Sequence, residues 1–250
     1  MKTAKQIYQI FSISLLILLL SITFAGFALA ADESEVQFSF AQPPITKPIE
    51  EGEKSHRINL TYLRLDMDNA ITGTGVNFMQ KIGQERGGTS WNVGGFALKD
   101  DDGDMDGFMI NGGAAQEITL DSKKHSIIFF GFTPSLMYMN FDSSTATADI
   151  EVEVTMLSFN LSGGYQHQIP VGRVQLTPYA KVEYIYNMTS TYTTIDTGSY
   201  YDTDTDDTTD SFMMQTIGFD IILPGGVSVA SAFQTGADDD MTLIQVGWTF

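Results

Sequence analysis

Across residues 174–188, VQLTPYAKVEYIYNM, one set of alternate positions carries Val174, Leu176, Pro178, Ala180, Val182, Tyr184, Tyr186 and Met188, while the other set is mostly polar. Alternation of period two places the two sets on opposite faces of an extended strand. Strands of soluble sandwiches run about five or six residues, whereas about 9–11 are needed to cross a bilayer at a tilt. The length of this segment favours a strand that spans a membrane.

Comparable segments recur at 125–141, 150–166, 212–223, 227–235 and 241–250, the pair around Pro224-Gly225-Gly226 being joined by a tight turn. Segments 56–67, 72–83, 89–98 and 107–118 are less regular and bring the number to ten; because 84–118 is rich in glycine and alternates poorly, eight strands remains an alternative. The expected fold is all-β, a transmembrane antiparallel up-and-down β-barrel over residues 56–250. Two segments change the parity of their apolar residues, from Val152, Val154 and Met156 to Leu157, Phe159 and Leu161, and from Ile58, Leu60 and Tyr62 to Leu63 and Leu65. These are read as bulges or as strand ends rising past the bilayer.

At the other end of the chain, Lys2 and Lys5 precede an apolar run that closes on Ala28-Leu29-Ala30, with Asp32, Glu33 and Glu35 just beyond. This pattern predicts a signal peptide over 1–30, cleaved after Ala30, and hence an exported protein. Residues 31–55 include AQPPITKPIEEGEKS and are expected to form an extended periplasmic segment, with VQFSF at 36–40 as one further candidate strand. The absence of cysteine excludes disulfides, thiolate metal sites and a lipidated cysteine anchor.

The formal charge is −18, and removal of Lys2 and Lys5 would leave the chain more acidic still, which argues against nucleic acid as a partner. The charges are also sorted along the sequence. More than half of the 31 acidic residues fall in every second connection: Asp66 and Asp68; Asp100 to Asp106; Asp142 and Asp149; Asp196 to Asp210; and Asp238 to Asp240. Arg57, Arg86, Lys123, Lys124 and Arg173 collect at the opposite end. Long acidic loops facing the medium and short periplasmic turns are the expected arrangement.

In the final segment, Ile244, Val246, Trp248 and Phe250 share one face. This pattern resembles the C-terminal assembly signal of bacterial outer-membrane β-barrel proteins, and the chain is similar to small barrels of the opacity type. The resemblance implies location in the outer membrane, recognition of these four residues by the barrel-assembly machinery, contact with outer-membrane lipids and a monomer.

Candidate chemistry is sparse. Asp102, Asp104 and Asp106 match the start of a calcium loop, but the twelfth position, where a bidentate acid is needed, is Gly113, so a solvated acidic loop is the preferred reading. Crowded carboxylates would still attract Ca²⁺ or Mg²⁺, and no other cofactor is expected. The three histidines, His56, His125 and His167, all fall near the periplasmic end, and neighbours such as His125 and Ser126 point to opposite faces of a strand. No catalytic residue is assigned. Lys181, Glu183, Asp220 and Glu153, with Arg64, are expected to point into the lumen, either lining an ion path or plugging a narrow barrel with ion pairs; the plug is preferred. Tyr62, Tyr138, Tyr165, Tyr184, Tyr186, Trp91 and Trp248 are read as interfacial girdles. The sequence therefore points to a non-enzymatic surface protein with acidic loops, with a small cation-preferring, porin-like channel and an outer-membrane hydrolase as alternatives.

Overall fold

The computed structural model describes residues 49–66, 70–123, 125–144, 148–198, 200–236 and 240–250. The expected signal peptide over 1–30 and the candidate strand at 36–40 lie outside the described residues. The strands are β1 (Lys54–Asp66), β2 (Ile71–Gln84), β3 (Gly87–Asp100), β4 (Met105–Thr119), β5 (Ser126–Ser144), β6 (Asp149–His167), the short β7 (Ile169–Val171), β8 (Val174–Asp196), β9 (Tyr201–Ile222), β10 (Val227–Thr235) and β11 (Asp240–Thr249).

Strands adjacent in sequence pair antiparallel, except that β6 and β7 both pair with β8, and β1 pairs with β11 from Arg57↔Thr249 to Asp66↔Asp240. Since β7 holds the same register against β8 as β6 does, it continues β6, and the whole is a closed barrel of ten strands. Closure leaves no edge along the wall. Followed from strand to strand, the registers return to β1 about 12 residues from their starting point, the stagger that tilts strands in a closed barrel. The glycine-rich span 84–118 forms two full strands, which settles the count at ten.

The expected bulges are absent. Both β1 and β6 keep one register with both neighbours throughout. What changes along these strands is the chemistry of the two faces, so that Leu60 points outward at 64% exposure while Leu63 points inward at 0%. The long acidic loops also need correction. Residues 189–196 and 201–211 continue β8 and β9 as paired strands, and beyond them the Thr197 amide donates to the Tyr200 carbonyl at 3.0 Å, so the acidic and threonine-rich stretch is a projecting hairpin.

At the opposite end the turns are tight. Gly225 and Gly226 adopt φ of 90° and 87°, and a Cβ on Gly226 would lie 2.2 Å from the Thr249 carbonyl oxygen, so glycine is required there. Inside the wall, Phe96, Phe129 and Tyr179 each pair directly with a glycine on the next strand: Gly75, Gly164 and Gly218. Added Cβ atoms would meet those rings at 2.3, 2.4 and 2.6 Å. The missing side chains let large rings lie down in a narrow lumen, a packing known to offset the weakness of glycine in strands.

Candidate functional site: the lumen and the acidic rim

The outside of the barrel is the apolar surface. Ile58, Leu60 and Tyr62 on β1 and Ile244, Val246 and Trp248 on β11 are exposed side by side, and Val76, Val93, Ile110, Phe132, Leu161, Ile217 and Val229 extend the belt over other strands. One border of this belt is a run of rings, Trp91–Phe78–His56–Phe250–Trp248, with centroids 5.3 to 5.9 Å apart. Their polar atoms are partnered, Trp91 Nε1 donating to Gln80 Oε1 at 2.9 Å and Trp248 Nε1 to the Gly225 carbonyl at 2.9 Å. Toward the acidic end, Phe108 stacks on Tyr138 at 5.6 Å, and the Tyr138 hydroxyl donates to Glu153 Oε1 at 2.8 Å. Rings with one wet edge at both borders of an apolar band are the arrangement of a barrel in lipid. Ile244, Val246, Trp248 and Phe250 all lie on this outward face.

The interior has two layers. Toward the tight turns it is polar. Arg57 donates to Asp220 through both terminal nitrogens, at 2.6 and 3.0 Å, and through Nε to Asn59 Oδ1 at 2.7 Å. Lys81 pairs with Glu117, and Lys181 Nζ meets Glu183 Oε2 at 2.8 Å, an oxygen that also accepts from Gln234 at 3.0 Å. These three cations and three carboxylates are all buried. Toward the acidic end the lumen is filled by Leu63, Leu65, Leu98, Phe96, Phe212, Leu243 and a group of methionines, Met105, Met109, Met137, Met139, Met156, Met214 and Met241. Unbranched methionine fills irregular space between strands, and each fully buried side chain of this size adds about 1.5–3 kcal/mol.

Of the charges expected in the lumen, Lys181, Glu183 and Asp220 are there. Glu153 and Arg64 are not. Glu153 has the outward parity of Leu157 and Leu161, and Arg64 stands half exposed at the rim with Asp101 at 3.3 Å. Val152, Val154 and Met156 have the opposite, inward parity, because at this height the lumen itself is apolar. Sequence reasoning also missed Arg57, Lys81 and Glu117, the partners that neutralise the interior.

Asp102, Asp104 and Asp106 do not form a ligand set. The turn folds around Asp100, whose Oδ1 accepts from the Gly103 and Met105 amides at 2.8 and 3.1 Å, while Asp106 faces Lys99 at 3.3 Å. Among the described residues no three His, Cys, Asp or Glu side chains converge as metal ligands. Asp142, Asp149, Glu151 and Asp196, with Tyr201, line an open cleft of about 440 Å³ at the rim.

Near the tight turns, register brings together residues that are distant in sequence. Ser126 lies opposite His167, its Oγ 3.0 Å from Nδ1, and the Tyr165 hydroxyl is 3.3 Å from both. Asp121 accepts from the His125 and Ser126 amides at 2.8 and 3.2 Å. Partial burial pushes the Asp121 carboxyl up, but these hydrogen bonds outweigh it and hold the group below its usual range.

The class of protein follows from this inverted arrangement: a closed antiparallel barrel with an apolar, ring-bordered exterior and an ion-paired interior is a small β-barrel of the outer-membrane type. The translocator domain of the autotransporter NalP from Neisseria meningitidis aligns with 79% of this chain and 87% of its own length, with a TM-score of 0.50 at 8% identity. The beta domain of the Bordetella autotransporter Brka aligns with 79% of this chain and 98% of its own, with a TM-score of 0.48 at 10% identity. For Ail, the attachment invasion locus protein of Yersinia pestis, the shares are 80% and 99%, the TM-score 0.34 and the identity 11%. No protein-family model and no curated protein sequence matches the chain. At 8% identity the likeness to the first domain is one of fold.

Proposed function

We propose that this chain is an integral outer-membrane protein, exported by a cleavable signal peptide, whose barrel is a sealed anchor that holds an acidic hairpin in the medium. The observation that carries this reading is the lining of the lumen: among the described residues each buried charge has an opposite partner, and buried apolar side chains lie toward the rim. A water-filled path would require solvated charges, and moving an ion through the Leu63, Leu65 and Met-rich layer would strip its hydration with nothing offered in return. The test is conductance of the refolded full chain in planar bilayers. No steps above background are expected; steady cation-selective steps would overturn the sealed lumen in favour of a channel.

The reading assigns no catalysis. Among the described residues the contact between Ser126 and His167 favours the hydrolase alternative, yet Asp121 accepts from the His125 and Ser126 backbone amides and has no hydrogen bond to His167. A fluorophosphonate probe labelling Ser126 would reverse this assignment. Divalent cations are proposed to bridge the rim carboxylates to lipid phosphates, since Arg64 and Lys99 there already face Asp101 and Asp106. Calorimetry showing no Ca²⁺ or Mg²⁺ uptake would remove that bridge.

A further inference from the structure

Beyond the wall, one edge of β9 has no strand beside it among the described residues. Residues 215–222 pair with β10, which stops at Thr235, whereas residues 201–214 have β8 on one side and, among the described residues, no strand on the other. A long bare edge presents backbone donors and acceptors to any extended chain that can lie beside it. Three of its donors identify which amides point outward. The Thr203, Thr205 and Ser211 amides donate to the carboxylates of Asp202, Asp204 and Asp210 at 3.0, 2.9 and 2.6 Å. All three share one parity, so they belong to one side of the strand, and a strand bonded there would release the carboxylates.

The chemistry of the edge selects its occupant. Between residues 201 and 222 there is no Lys, Arg or His, and Asp202, Asp204, Asp206 and Asp210 fall on one face of the strand. A second copy laid edge to edge would oppose carboxylate to carboxylate, which is destabilising. A strand with basic residues at every second position would instead set one cation beside each carboxylate and receive the freed amide donors.

We infer that the β9 edge over residues 201–214 is a docking site for an extended cationic polypeptide segment that adds to the hairpin as a further antiparallel strand, its basic side chains alternating in register with Asp202, Asp204 and Asp206. The inference needs the hairpin to stand in water and does not depend on the sealed lumen, so a conducting barrel would leave it intact.

The probe is a short peptide alternating lysine and threonine, titrated into the refolded full chain in zwitterionic detergent. It is compared with the same peptide N-methylated at alternate amides, one version for each parity; each keeps the charge, and one loses the donors that face β9. Binding is expected, with at least a tenfold loss for one N-methylated version and new exchange protection at the Thr203 and Thr205 amides. The triple variant Asp202→Asn, Asp204→Asn, Asp206→Asn keeps the amide acceptors and is checked for folding by its unheated gel mobility; it should lose at least tenfold in affinity. Failure of the parent peptide to bind, or equal binding of both N-methylated versions, would overturn strand addition, the second result leaving only charge attraction. Undiminished binding to the triple variant would overturn the assignment of the partner as cationic.

Discussion

Replacing Asp220 by Asn tests the interior most sharply. The Arg57 and Asp220 side chains are each 0% exposed and are joined by two hydrogen bonds of 2.6 and 3.0 Å. Removing one charge leaves the other buried without an opposite partner, and breaking such a pair costs about 3–5 kcal/mol. Were the lumen full of water, the same pair would be solvated and worth only about 0–1 kcal/mol. The size of the loss therefore reports whether water reaches Arg57. Replacing both residues, Arg57→Met with Asp220→Leu, removes both charges and should recover stability to within about 1 kcal/mol of the parent. The assay is urea unfolding of the refolded barrel in vesicles, followed through Trp91 and Trp248 fluorescence. A loss below about 1 kcal/mol for Asp220→Asn, or a double variant no better than the single one, would refute the argument.

Three further outcomes follow from the same geometry. Gly247→Val should cost about 1–3 kcal/mol in the same titration, because its Cβ would lie 2.1 Å from Asn59 Oδ1, the atom that receives Arg57 Nε, and 2.8 Å from the Ile58 carbonyl oxygen. Leu60→Arg should cost about 2–4 kcal/mol in vesicles if the belt faces lipid, and a loss near zero would place that face in water. The depressed Asp121 carboxyl contributes stability that is fully present above the ordinary aspartate range and is lost as pH falls through its lower folded value. Protection of the His125 and Ser126 amides, taken relative to their intrinsic exchange rates, should therefore fall on acidification below that range, and Asp121→Asn should abolish this pH dependence of protection.

Strand number and order were legible because alternation survives wherever an apolar exterior faces a polar lumen, as it does from Ile58 to Tyr62 and over 174–188. Alternation loses its meaning where the lumen is apolar too. Leu63 and Leu65 then resemble a register slip, and Glu153 is assigned to the wrong side, although neither strand leaves its register. The tall hairpin was missed for a different reason. Thr189 to Thr194 and Asp202 to Asp210 are polar on both faces, so nothing marks them as strand except the ladder that joins them. Contacts such as Ser126 with His167, or Tyr179 over Gly218, depend on register alone and have no local signature.

Because the chain has no cysteine, single substitutions give unambiguous chemical reporters. The most direct test of the account is reaction of a membrane-impermeant maleimide with intact cells carrying Thr205→Cys, on the projecting hairpin, or Thr61→Cys, on the buried inner wall. A sealed outer-membrane barrel predicts rapid labelling at position 205 and none at position 61 until the protein is unfolded. Labelling at 61 as fast as at 205 would mean an open, water-filled lumen, and no labelling at 205 would mean that the acidic hairpin does not face the medium.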